Sequence, residues 1–142
     1  LEALLSMKHE KIKNSKRTQR FISLAKNIAT SSDSKDYRHG AVLVKGSNII
    51  NSATNKNSHA RFGKRFRKRD CGHTTHHAEL GCVLGIDRSV TKGSVIYVSR
   101  IGKRGELRMS KPCEMCEAIL KHVGVKKVIY SINEEEVGYY NL

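Results

Sequence analysis

Apolar positions along the chain alternate between helical and strand periods, and the switches outline its elements. Phe21, Ile22, Leu24, Ala25, Ile28 and Ala29 recur at helical spacing, which predicts an amphipathic helix over about Ser15 to Thr30. Ala41-Val42-Leu43-Val44, opened by Gly40, reads as a short buried strand. Lys45-Gly46-Ser47-Asn48 has hairpin-turn chemistry, and Ile49 to Ala53 is the returning strand. From Asn55 to about His76 the chain is polar and basic, and reads as a loop. His77 to Leu84 predicts a second helix that stops near Gly85, where a left-handed cap costs little. Ser94 to Ser99 is a β-branched buried strand, Cys113 to Val123 a third helix halted at Gly124, and Lys127 to Ile132 another strand. Val137 to Tyr140 is a candidate last strand. Only Asn133 to Glu136 separate these two, too few for a crossover helix, so they are expected to run antiparallel.

The order α-β-β-α-β-α-β-(β) implies an α/β protein: a mixed sheet with helices on its faces, organised as a single three-layer α-β-α domain. A length of 142 residues is enough to bury a core without covalent staples. No apolar run approaches a membrane span, and Leu1 to Met7 is too short for a secretory leader, with Met7 the candidate start. No membrane partner is therefore expected.

Charge changes the picture. A formal net charge of +14 raises encounter rates with polyanions and points to nucleotide or nucleic-acid partners, although lysine-rich surfaces also serve solubility alone. The basic N-terminal segment 1–15 contributes, with Lys8, Lys11 and Lys13. Of the four cysteines, Cys113 and Cys116 sit too close on one helical turn for an easy disulfide, leaving only Cys71 and Cys82 to pair. Such a C-x-x-C in a reducing interior reads as metal-binding or redox-active, so the expected location is cytoplasmic.

The chemistry concentrates in two short motifs, His77-Ala78-Glu79 and Pro112-Cys113-Glu114-Met115-Cys116. One imidazole and two thiolates make three zinc ligands, and Glu79 is a carboxylate with no ligand role. A structural zinc takes four protein ligands, whereas a catalytic one keeps a position open for water. Both motifs fall at predicted helix starts, where His77 and Glu79 share one first turn and Cys113 and Cys116 another. The i, i+3 spacing lets both sulfurs reach one ion, and helix N-termini favour thiolates. Pro112, lacking an N–H, suits a helix start. Of the adjacent histidines, only His77 has a glutamate two residues on. Glu79 is expected to move protons between water and the ring nitrogen of a substrate while an exocyclic amine is exchanged for oxygen. The bland alternative is a surface glutamate beside a half-formed zinc knuckle.

The segment between strand and second helix adds candidates. Arg61-Phe62-Gly63-Lys64-Arg65-Phe66-Arg67-Lys68-Arg69 packs six cations around two aromatics, which suits phosphates and unstacked bases of a single strand. It also reads as a solvated loop with its phenylalanines tucked inward, or as a grip on one nucleotide's phosphate through Arg65 or Arg67. His59, Cys71, His73 and His76 are candidates for a second zinc site, against which stands the lack of any tight knuckle spacing. Cys82 reads as a buried packing residue.

In these two motifs, H-x-E followed by P-C-x-x-C, the chain resembles the cytidine deaminase superfamily of zinc-dependent nucleobase deaminases. That superfamily includes nucleoside and deoxycytidylate deaminases, tRNA adenosine deaminases and polynucleotide cytosine editors. The likeness runs from about Ala41 to Ile132. It implies a cytidine deaminase-like topology with the ligands at helix N-termini, a Zn2+ cofactor, and a sugar or base contact from Asn55, which ends the second strand. It also implies that the N–H groups of Ala78 and Cys113 lie near the water and the departing amine, and that homo-oligomers are common. Certain phage deoxycytidylate deaminases carry an extra structural zinc nearby. The HAE form resembles the deoxycytidylate and tRNA adenosine branches, while the hairpin-like C-terminus resembles the cytidine deaminase side, so the branch stays open. The expected activity is hydrolytic conversion of cytosine to uracil in a (deoxy)cytidine nucleotide or a single-stranded nucleic acid. The alternatives are an adenosine-to-inosine RNA deaminase and an inactive zinc-stabilised module that binds nucleic acid.

Overall fold

A computed structural model describes residues 10–11, 15–34, 36–59 and 75–142. Helix α1 (Lys16–Ala29) starts where Ser15 accepts a hydrogen bond from the Thr18 N–H at 3.2 Å, and it buries Thr18, Phe21, Ile22, Ala25 and Ala29. Strands β2 (Arg38–Lys45) and β3 (Asn48–Thr54) form the expected hairpin, with a register shift between Leu43 and Val44. Helix α2 (Ala78–Val83) and helix α4 (Glu114–His122) follow the predicted positions. Past their ends, Gly85 (φ 75°) and Gly124 (φ 89°) occupy the left-handed region that only glycine adopts freely. Strands β6 (Val95–Ile101), β8 (Lys127–Ser131) and β9 (Val137–Asn141) complete the predicted set.

Five elements were not legible in the pattern. Strand β1 (Glu10–Lys11) pairs with β9. Helix α3 (Arg88–Thr91) is a single turn capped by Asp87, which accepts from the Ser89 N–H at 2.8 Å. Strand β7 (Leu107–Arg108) turns back along β6. The reading of 55–76 as loop throughout is also corrected: β4 (Lys56–His59) and β5 (Thr75–His76) close its two ends into an antiparallel ribbon, Lys56 opposite His76. Such a ribbon is held by backbone hydrogen bonds and carries no apolar alternation to betray it.

The main sheet runs β1-β9-β8-β6-β2-β3, with β7 on the end of β6. Among the described strands only β6 and β8 are parallel, while β8 and β9 run antiparallel as expected, so the sheet is mixed. Alternation along each strand sorts side chains to two faces. Val42, Val44, Tyr97 and Ile129 pack with Phe21 and Ile22 of α1. Ala41, Leu43, Ile96, Val98 and Val128 pack with Leu80 of α2 and Ile119 and Leu120 of α4. The three layers are therefore α1, the sheet, and the α2/α4 pair.

Gly40 marks how closely the first layer sits. A Cβ there would lie 2.0 Å from the Ala25 carbonyl oxygen and 2.7 Å from the Ala29 nitrogen. Backbone cannot step aside cheaply, so Gly40→Ala is expected to destabilise the fold by about 3 kcal/mol. Urea unfolding of the two proteins checks this, and an unchanged midpoint would contradict the packing.

Candidate active site

The starts of α2 and α4 face one another on the side of the sheet away from α1. His77 is the N-cap of α2 and Cys113 the N-cap of α4, and neither side chain caps its own helix. Both are thus one residue outside the first turn expected for them, and Pro112 precedes the cap, where its fixed φ sets how the chain enters. The side chains, released from capping, turn toward each other. His77 Nδ1 lies 3.2 Å from Cys116 Sγ and 3.7 Å from Cys113 Sγ. The three donor atoms all fall within 4.8 Å of one another, making this the one group among the described residues able to hold a metal ion.

Electrostatics suit a cation. The Cys113 thiol is drawn down to about 3, first by the Cys116 S–H donating to it and then by His77. The same bond, with burial, pushes the Cys116 thiol up. The cluster therefore already carries a thiolate. His77 is held above its ordinary value chiefly by its bond to Cys113, a proton that a cation displaces. One borderline nitrogen and two soft sulfurs match zinc, and three ligands leave a fourth position open.

Glu79 sits on the first turn of α2 and is 4 % exposed. Burial pushes its carboxyl up, opposed by His77, and it hydrogen-bonds with the Cys116 side chain. This carboxyl is thus buried beside the donor set and is not solvated on a helix surface. Ala78 opens α2 and is fully buried, so its N–H belongs to the first-turn donors that a helix leaves without an internal partner.

Asn55 is engaged with the start of β2. Its Oδ1 accepts from the His39 N–H at 2.9 Å, and its Nδ2 donates to the Tyr37 carbonyl. Cys82 is buried, its Sγ donating to the Ala41 carbonyl at 3.2 Å, in keeping with a packing role. His59 and His76 lie on the paired strands β4 and β5. Arg65, Arg67, Cys71 and His73 lie outside the described residues.

Two residues near the centre escaped the sequence. His39 and Arg100 are register partners on β2 and β6 and continue the rows that face α2 and α4. His39 is held down at about 4, mainly by burial and then by the Arg100 guanidinium, and it feels the charges of His77 and Cys113. It is therefore a neutral imidazole beside the centre. No spacing in the sequence announces this neighbour, because cross-strand register creates it.

The profile of the cytidine and deoxycytidylate deaminase zinc-binding region matches residues 15–132. The chain belongs to this family. With the His77, Cys113 and Cys116 group, membership makes zinc its metal cofactor. Comparison with curated proteins finds no match. Solved structures share the fold. A dCMP deaminase from the cyanophage S-TIM5, in apo form, is 21% identical over 84% of both chains with a TM-score of 0.59. The same phage enzyme in complex with dCMP and dUMP superposes with a TM-score of 0.58 at 21% identity, over 84% of this chain and 83% of that one. RibD from Acinetobacter baumannii is 20% identical over 81% of this chain but only 28% of its own, with a TM-score of 0.51. Among the described residues, no helix of this family member is long and apolar enough to cross a membrane.

Proposed function

We propose that the chain converts cytosine to uracil by hydrolysis, with His77, Cys113 and Cys116 as the zinc ligands and Glu79 as the proton carrier. The observation behind this reading is the buried Glu79 carboxyl bonded to Cys116 inside the only convergent N,S,S group among the described residues. Zinc in such a set supplies Lewis acidity that brings the ionisation of water near neutral pH. His77 serves as the neutral imidazole, presenting Nδ1 to the ion, while the two cysteines serve as thiolates. Glu79 takes a proton from the attacking water and delivers it to the ring nitrogen beside the amine-bearing carbon. It then takes the proton of the hydroxyl now on that carbon and passes it to the amine, which leaves as ammonia while the carbon keeps the oxygen as a carbonyl. The Ala78 and Cys113 N–H groups stabilise charge that develops at the reacting atoms. Asn55 fixes the Tyr37–His39 backbone at the rim, and the remaining lone pair of its Oδ1 is the part suited to a sugar or base contact.

The nucleotide complex of the phage structure supports cytosine carried on a sugar phosphate as the substrate class, free or within a single strand. The experiment is a product assay on the zinc-loaded protein with dCMP, cytidine, and single strands of DNA and RNA bearing cytosine or adenine. Uracil with stoichiometric ammonia is the expected result. Inosine in RNA would replace cytosine with adenosine as the target. Oligonucleotide binding without any product would leave a zinc-stabilised module and end the proposal.

A further inference from the structure

The ends of β2, β6 and β7 form a cleft of about 800 Å³ lined by Tyr37, Arg100, Lys103, Arg104, Arg108 and Asp36, among others. His39, Arg100 and Arg108 stand in register across these three strands, so the row runs from the centre out into the cleft. Three features of this cleft look unfinished. The Arg100 guanidinium lies 4.8 Å from the centroid of the Tyr37 ring, yet its buried Nε has no hydrogen-bond partner among the described residues. Buried donors without partners are rare and costly, and a ligand acceptor would satisfy this one. Tyr37 remains 60 % exposed, unusual for a large aromatic already fixed by a cation on the ring. Lys103 and Arg104 project into solvent at the cleft's outer wall. Glu106, which also lines the cleft, is occupied by bonds to Arg108 and to the Arg104 N–H.

We infer that this cleft binds the nucleotide adjoining the reacting base in a single-stranded nucleic acid, Tyr37 stacking its base and Arg100, Lys103 and Arg104 holding its backbone phosphates. The inference rests on the deaminase reading and names its substrate class as a polymer. A base platform plus several cations outside the metal centre is more than one mononucleotide requires, because the reacting base itself must sit at the centre. Aromatic stacking beside a cationic track is how sequence-tolerant single-strand sites are built. The net charge of +14 acts in the same direction by drawing in polyanions.

The test uses the full zinc-loaded chain carrying Glu79→Gln, so that no turnover disturbs binding. Fluorescence anisotropy follows a labelled single strand of about 12 nucleotides with one central cytosine, as DNA and as RNA. Tyr37→Ala is expected to weaken binding about tenfold. Lys103→Glu with Arg104→Glu is expected to weaken it about tenfold or more, and to flatten the slope of log affinity against log salt by about 1.4. Lys121→Glu with Lys126→Glu, exposed and at the opposite end of the sheet, changes net charge equally and serves as the control. Control and cleft pairs weakening binding alike would overturn the inference, as would a chain that binds no oligonucleotide. With Glu79 restored, a KM for dCMP that shifts in the cleft variants as far as the oligonucleotide Kd also overturns it, assigning the cleft to the reacting nucleotide. If the unmodified protein deaminates nothing while the cleft variants still lose binding, the reaction fails and the cleft stands.

Discussion

Replacing Glu79 with glutamine is expected to lower kcat about a thousandfold while leaving the zinc content and the fold intact. Glutamine has the shape of glutamate and can accept or donate a hydrogen bond, but it cannot receive a proton from water and pass it on. The carboxyl is 4 % exposed, and burial already raises its proton affinity. A neutral amide in that space therefore adds no desolvation cost, and thermal unfolding should shift little. Because the loss falls on proton transfer, KM should move far less than kcat. Single-turnover assays with metal analysis on the same preparation check all three points. A variant that holds zinc and retains turnover would remove Glu79 from the chemistry; one that loses zinc would show that the carboxylate holds the donor set together.

The parts of this protein that were legible are those in which neighbours in sequence are neighbours in space. Phe21, Ile22, Ala25 and Ala29 announce α1 because a helix face repeats every three to four residues. Val42 and Val44 lie on one face of β2 and Ala41 and Leu43 on the other, all of them buried, so β2 reads as a continuous apolar run. The convergence of His77, Cys113 and Cys116 was legible for a different reason: these residue types at two helix starts suit one metal ion, whatever lies between. What stayed hidden depends on strand pairing across long separations. His39 meets Arg100, and Arg100 meets Arg108, only through register. Strand β7, the two strands of the β4–β5 ribbon and the single turn α3 are each four residues or fewer. Their sequences carry no period to read.

The region between β6 and α4 shows how such hidden pairing positions the chemistry. Ser131 Oγ donates to the Arg108 carbonyl at 2.7 Å, and Ser110 Oγ donates to the Val98 carbonyl at 2.9 Å. These two buried hydroxyls tie the returning segment to β6 and β8 just before Pro112 leads into Cys113. The entry to α4, and with it the Cys113 N-cap, is thereby tied to the sheet.

Stripping the metal is expected to cost the protein both its activity and a large share of its thermal stability. His77 caps α2, while Cys113 caps α4 and Cys116 lies on its first turn, so an ion held by all three joins two helix starts. A ligand that binds only the folded state stabilises it by about 4 kcal/mol at a thousandfold excess over Kd. For a chain of this size that corresponds to a fall in Tm of about 10 °C or more when a strong chelator is added. Cys116→Ala should reproduce the loss, since it removes a fully buried donor lying 3.2 Å from His77 Nδ1. The discriminating comparison is chelator against variant: the parent chain should lose stability on chelation, whereas Cys116→Ala should unfold at the same low temperature with or without it. Zinc per chain, measured alongside, should drop from one to near zero. A parent Tm indifferent to chelator, or a Cys116→Ala protein still carrying zinc, would mean that His77, Cys113 and Cys116 converge for a purpose other than holding an ion.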